Sequence, residues 1–151
     1  SNLGDRAANL RAAVAMLEAR GVTVTRRSAI WETPPVPANQ PPFLNAAVAG
    51  ETALSPRELL VVAKAIEAEL GRRPGPRWGP RPIDIDILFH GSGRTDEPDL
   101  VVPHERIAER AFVLVPLAEV TDGPLPVLGE TAAALLARLD REGIVRTQER
   151  L

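Results

Sequence analysis

An α+β domain, its helices on one face of a mainly antiparallel sheet, is what three observations in this sequence predict. Residues 6–20 and 56–70 carry apolar side chains at helical spacing, and each run is closed by a glycine. Two β-branched stretches flank the proline-rich segment 34–42, a pattern that suits antiparallel pairing across a loop. Asp84 and Asp86 alternate with Ile83, Ile85 and Ile87, in the period of two that marks a strand. The chain has 151 residues, so a single domain over 1–151 is expected.

The first helix places Leu10, Ala13, Val14 and Leu17 on one face and stops at Gly21. Val22, Val24 and Ile30, set among threonine and arginine, predict a long strand that reaches Thr33. Pro34, Pro35, Pro37, Pro41 and Pro42 lack the N–H that a central strand needs, so 34–42 is a stiff loop. Phe43 to Thr52 resumes the strand. Ser55-Pro56-Arg57-Glu58 is a helix start, with serine at the N-cap, proline at the first helical position and glutamate closing a capping box. Leu59, Val62, Ala63, Ile66 and Leu70 then share a face before Gly71. Residues 72–81 read as a loop and 82–89 as a strand. Gly91-Ser92-Gly93 turns the chain, and Leu100-Val101-Val102 is a short extended piece. Helices are predicted over about 105–115 and 131–141, with a last strand over 144–148. The order β-α-β-β-α-β with antiparallel pairing is that of a ferredoxin-like α/β/α sandwich. That scheme wants a strand ahead of the first helix, where the chain shows Ser1-Asn2-Leu3-Gly4-Asp5; the expectation is a first strand upstream of Ser1.

Composition narrows the function. The formal charge is −2 with 44% apolar residues, which gives no overall basic field for nucleic acid or a membrane surface, so any anion site must be local. Without cysteine, thiolate metal sites and cysteine nucleophiles are excluded. No apolar run approaches the roughly 18 residues of a membrane span, and the first residues do not form a signal peptide. A cytoplasmic protein is expected. Lys64 is the only lysine among 18 basic residues, so the cations are nearly all guanidinium, the group suited to bidentate phosphate contacts.

On a strand, Asp84 and Asp86 project to one face about 7 Å apart, a separation that lets two carboxylates bracket Mg²⁺ while phosphate and water complete its shell. A half-buried strand with a wet acidic face shows the same pattern. Arg72, Arg73, Arg77 and Arg81 crowd the loop just ahead, among Pro74, Gly75, Pro76, Gly79 and Pro80. They suit either a polyphosphate clamp that closes over ATP or a solvated basic loop paired with the aspartates. Trp78 either stacks on a flat heterocycle or packs its loop onto the domain. Thr33-Pro34-Pro35-Val36 and Phe43-Leu44-Asn45 bring an aromatic face, an amide and backbone groups to adjacent strand ends, suited to a small planar ligand; Asn45 can equally serve a turn. His90 reads as structural. His104 and Arg110 are close enough in sequence to reach one phosphate, and no third clustered histidine or cysteine supports zinc.

Taken together, Thr33-Pro34-Pro35, Phe43-Leu44-Asn45, Arg77-Trp78-Gly79-Pro80-Arg81, Asp84-Ile85-Asp86, Pro103-His104 and Arg110-Ala111-Phe112 resemble the signature of the 6-hydroxymethyl-7,8-dihydropterin pyrophosphokinases of folate biosynthesis. The resemblance extends over roughly residues 1 to 120. It implies transfer of the β,γ-diphosphate of ATP to the pterin hydroxymethyl group, giving AMP. It also implies two Mg²⁺ ions on Asp84 and Asp86, with Arg72 and Arg81 joining them as catalytic residues. By the same resemblance the pterin lies between Phe43 and Phe112, read by Thr33, Asn45 and the Pro34-Pro35-Val36 backbone and covered by Trp78. ATP is met by Arg72, Arg77, Trp78, Arg81, Ile87, His104 and Arg110, with Lys64 and Glu67 lining the nucleotide side. A monomer with small-molecule substrates and no nucleic-acid or membrane partner is implied. Two positions depart from the pattern: Pro82 stands where a hydrogen-bond donor is usual, and Lys64 where the family pattern has glutamine. Two other functions use the same residues, an anion-sensing domain without turnover and a single-strand nucleic-acid binder built on Trp78 and the arginines.

Overall fold

Asp5 caps the first helix, its Oδ1 accepting from the Ala8 N–H at 3.1 Å, and α1 runs over Arg6–Ala19. Ala13, Val14 and Leu17 of this helix are buried, as its spacing requires. The computed structural model describes residues 1–75 and 79–151. The second helix, α2 (Pro56–Glu69), begins with the expected capping box: Ser55 Oγ accepts from the Glu58 N–H, and the Glu58 side chain accepts from the Ser55 N–H. Arg20 of the α1 C-cap and Glu69 of α2 form a two-pronged ion pair at 2.6 and 2.7 Å.

The long strand expected over 22–33 is two strands. β1 (Val22–Arg27) and β2 (Ala29–Thr33) part at Ser28, whose Oγ accepts from the Ala47 N–H while its own N–H donates to the Ala47 carbonyl. The return strand divides opposite the same point, into β3 (Phe43–Asn45) and β4 (Val48–Thr52). β1 pairs antiparallel with β4, with a bulge between Val24 and Arg26, and β2 pairs antiparallel with β3. The β1 backbone passes so close to Gly50 that a Cβ there would lie 2.4 Å from the Thr23 carbonyl oxygen, so only glycine fits.

Further along, β5 (Thr95–Glu97) and β6 (Leu100–Val102) form a hairpin of which only the second strand is expected from sequence. The helix predicted over 105–115 divides at Arg110 into a single 3-10 turn, Ile107–Glu109, and α3 (Ala111–Ala118). α4 (Ala132–Leu136) is shorter than the predicted 131–141, because i to i+3 hydrogen bonds from Arg138 and Leu139 tighten its end. β7 (Val145–Arg150) then pairs antiparallel with β2.

The α+β class with antiparallel pairing stands, but the strands fall into three groups, β1-β4, β3-β2-β7 and β5-β6. The predicted strand 82–89 forms no strand ladder; its Ile85 N–H turns instead to a side chain on α2, and its Leu88 carbonyl accepts from the His104 N–H. The reason is visible beside it. A cleft of about 680 Å³ runs between residues 83–91 and β4, floored by Leu10, Ala13 and Leu17 of α1 and Leu59 and Ala63 of α2. Periodicity can set the faces of such a segment, but a ladder needs a neighbour, and none lies in the cleft among the described residues. The face assignment holds for Ile83, which is buried, and for Ile85, which packs beside it in one cluster with Ile66 and Leu17, but Ile87 is only half-buried and joins no such cluster; Asp84 is half-buried and Asp86 exposed.

Candidate active site

The mouth of this cleft is lined by Asn45, Asp84, Asp86 and Phe112. Three parts of the chain bring it together: the β2–β3 pair, the segment after the arginine loop, and the N-terminus of α3. Asp84 is the centre of its ion pairs. Arg72 Nη1 donates to Asp84 Oδ1 at 2.7 Å, and Arg81 Nε stands 3.8 Å from Asp84 Oδ2. Burial acts to raise the Asp84 carboxyl, but the Arg72 hydrogen bond and the charges of Arg81 and Arg72 outweigh it and hold the group below the usual carboxylate range.

Asp86 behaves in the opposite way. One edge is open to solvent, yet the group sits in a recess where loss of water and the neighbouring charge of Asp84 push its carboxyl up, against the charges of His104, Arg110 and Lys64. The folded protein therefore holds the Asp86 proton more tightly than the unfolded chain does, and stability is lost as pH rises from the ordinary value of 3.8 through the raised one. Metal-free Asp86→Asn is expected to melt higher than the parent at about pH 7.5, with the difference shrinking towards about pH 4. Thermal melts in chelator check this, and an equal gap at both pH values would contradict it.

The cations around the pair come from separate elements. Arg81 lies with its guanidinium carbon 5.5 Å from the Phe43 ring centroid, and Arg110 with its own 5.7 Å from that of Phe112. Arg81 Nε and His104 Nδ1 are buried with no hydrogen-bond partner among the described residues, as expected of donors that meet a ligand. Asn45 Nδ2 donates to Thr33 Oγ1 at 2.7 Å across the β2–β3 pair, so the two residues of the expected pterin edge are joined. Pro34 and Val36 are exposed beside them, and Ile87 is half-buried. Lys64 is exposed on α2, but Glu67 is almost wholly buried, so it does not share the surface on which both were expected to line a nucleotide. Arg77 and Trp78 lie outside the described residues. His90 Nε2 pairs with the Leu54 carbonyl at 2.8 Å, the structural place expected of it.

One contact that joins two loops beside the site has no signal in the sequence. The buried Asn2 side chain donates to Gln40 Oε1 and the Pro41 carbonyl and accepts from the Arg81 N–H at 2.8 Å, which ties the proline loop to the arginine loop. No spacing rule reaches across the 79 positions between Asn2 and Arg81.

Comparison with known proteins settles the class of chemistry. A family model described as 7,8-dihydro-6-hydroxymethylpterin-pyrophosphokinase matches residues 1–122. The chain belongs to this family. A 2-amino-4-hydroxy-6-hydroxymethyldihydropteridine pyrophosphokinase of Methylorubrum extorquens is 50% identical over 150 residues, covering 98% of this chain and 94% of that protein. One of the same description from Bacillus subtilis is 51% identical over 122 residues, 80% of this chain and 73% of the relative. The mitochondrial folate synthesis bifunctional protein of Arabidopsis thaliana is 52% identical over 120 residues, 79% of this chain but only 22% of that longer protein. The chain is thus a pyrophosphokinase-family enzyme of folate synthesis, with ATP as co-substrate. α4 and β7 lie beyond the matched residues, and β7 completes the sheet that carries Thr33 and Asn45. Among the described residues no helix is long and apolar enough to cross a membrane.

The residues present suit Mg²⁺ rather than a metal held by protein alone. Among the described residues no group of three or more histidine and carboxylate ligands exists. Mg²⁺ is ordinarily held by one or two carboxylates with the remaining positions filled by water and substrate phosphate, and Asp84 and Asp86 supply that number of hard oxygen donors.

Proposed function

We propose that this chain moves the β,γ-diphosphate of ATP to the hydroxymethyl oxygen of 6-hydroxymethyl-7,8-dihydropterin at the Asp84–Asp86 pair. The observation that carries this reading is the setting of that pair: two carboxylates on one side of residues 83–87, flanked by Arg72 and Arg81 and facing His104 and Arg110 from the following elements. Such alternation of carboxylate and guanidinium is what a magnesium-bound polyphosphate requires.

Asp84 and Asp86 would hold two Mg²⁺ ions, which supply charge neutralisation on the phosphates and acidity to the bound alcohol. Phe43 and Phe112 hold the pterin between them, and Asn45 with Thr33 and the Pro34-Pro35-Val36 backbone reads its polar edge. Arg81 and Arg110 lie against those same aromatic rings, so the groups that grip phosphate and those that grip the heterocycle share one frame. The hydroxymethyl oxygen attacks the β-phosphorus, the bond from that phosphorus to the α-bridging oxygen breaks, and AMP departs with the electron pair. Arg72, Arg81, His104 and Arg110 stabilise the charge that gathers on the phosphates. The hydroxymethyl proton leaves to solvent, with Asp86 as the nearest carboxylate to relay it.

The proposed working form is a monomer in the cytoplasm. The test is a product assay. AMP is expected from ATP only when both the pterin alcohol and Mg²⁺ are present. Formation of ADP instead, or AMP without the pterin, would overturn the reading.

A further inference from the structure

Glu67 lies on α2 directly beneath the aspartate pair and is 2% exposed, too deep to meet a nucleotide in this arrangement. Its Oε2 accepts from Arg72 Nη1 at 3.0 Å and from the Ile85 N–H at 2.7 Å, and its Oε1 lies 3.3 Å from Lys64 Nζ. The Ile85 amide is the peptide group between Asp84 and Asp86. The same Nη1 of Arg72 also donates to Asp84 Oδ1 at 2.7 Å, so one guanidinium nitrogen is shared by a buried carboxylate and a half-exposed one.

That sharing creates a conflict which Glu67 can resolve. Arg72 holds Oδ1 of Asp84 while Oδ2 has only Arg81 Nε at 3.8 Å, so a cation that engages both oxygens of Asp84 displaces Arg72, and breaking a partly buried ion pair without a replacement partner is costly. Glu67 is that replacement. It keeps Arg72 bound while Asp84 is released, and it anchors the backbone between the two aspartates meanwhile. Among the described residues Arg72 has no other carboxylate within ion-pair distance. The geometry points to Glu67 as a positioning residue that retains Arg72 when Asp84 passes to a divalent cation, so that guanidinium and metal do not compete for one carboxylate. This rests on the reading of Asp84 and Asp86 as the Mg²⁺ site.

The full chain is titrated with Mg²⁺ in the presence of α,β-methylene-ATP, whose carbon bridge replaces the bond that would break, and binding is followed by calorimetry. The parent protein should bind the analogue more tightly as Mg²⁺ rises; if it does not, the metal reading itself fails. Given that dependence, Glu67→Gln should raise the Mg²⁺ concentration for half-maximal binding about tenfold, the scale of one charge-assisted hydrogen bond. An unchanged half-saturation overturns the inference. In an Arg72→Met background, Glu67→Gln should add no further shift. A full shift there means that Glu67 acts through the Ile85 backbone alone and also overturns it. Should Glu67→Gln fail to fold, Glu67→Asp keeps the buried charge but is too short to hold Arg72 and the Ile85 amide together. It should shift the requirement in the same direction by a smaller factor, and no shift in the folded variant overturns the inference as well.

Discussion

Replacing both Asp84 and Asp86 with alanine is expected to lower AMP formation by about 10³-fold or more while the protein stays folded. The magnitude follows from the several kcal/mol that metal-assisted charge stabilisation supplies in phosphoryl transfer, at about 1.4 kcal/mol per factor of ten in rate. Folding should survive for reasons specific to each position. Loss of water and then the neighbouring charge of Asp84 push the Asp86 carboxyl up, so its removal relieves the cost of holding that charge there. Loss of Asp84 removes one partner of Arg72, but Glu67 remains in contact with that guanidinium at 3.0 Å. The check is the AMP assay at saturating ATP and Mg²⁺, beside a thermal melt. Activity within tenfold of the parent would remove the aspartates from the mechanism, and a collapsed melt would show that their role in folding had been underestimated. Raising Mg²⁺ should not rescue the double variant, because its oxygen ligands are gone.

The parts of this site that were legible in the sequence are those set by local rules. Ser55 and Glu58 announce the start of α2, and the structure closes both hydrogen bonds of the box. Alternation puts Asp84 and Asp86 opposite Ile83 and Ile85, and that sidedness holds although no strand ladder forms there. What local rules cannot see is a partner distant in sequence. Ser28 divides a β-branched run that reads as one strand, because a buried hydroxyl is needed against Ala47 on the return strand. Arg110 ends one turn and begins α3, where periodicity runs the two together. Glu67 shows the limit most clearly. The family resemblance implies that it lines the nucleotide side. Only the packing of residues 83–85 over α2 turns it inward to Arg72 and Ile85. The identity of the pterin lies further still from any local rule, since it came from matched motifs and not from the charge pattern of the aspartates alone.

Ile66→Ala is expected to destabilise the fold by about 3 kcal/mol, within the 2–5 kcal/mol range for removing a buried isoleucine side chain. Ile66 is fully buried one residue before Glu67, and it packs with Ala13 and Leu17 of α1 and with Ile83, one residue before Asp84. It is therefore the apolar support under the site: α2 contributes Ile66 to hold Ile83 from below and Glu67 to hold Ile85 through its amide. For a chain of this length that loss corresponds to a fall of roughly 6–12 °C in melting temperature. The cavity left behind cannot close by itself, because α1 and α2 are fixed to one another by the Arg20–Glu69 pair and by the remaining contacts of the cluster. A second effect should accompany the first. With Ile83 free to settle into the gap, Asp84 moves relative to Arg72, and the KM for ATP should rise more than the KM for the pterin, whose proposed site lies on the separate β2–β3 pair. Thermal melts and steady-state kinetics on the same preparation check both. A melting temperature within about 2 °C of the parent would show that this cluster is not the support assigned to it. A large fall in melting temperature with both KM values unchanged below the transition would show that the core and the aspartate pair are not mechanically joined.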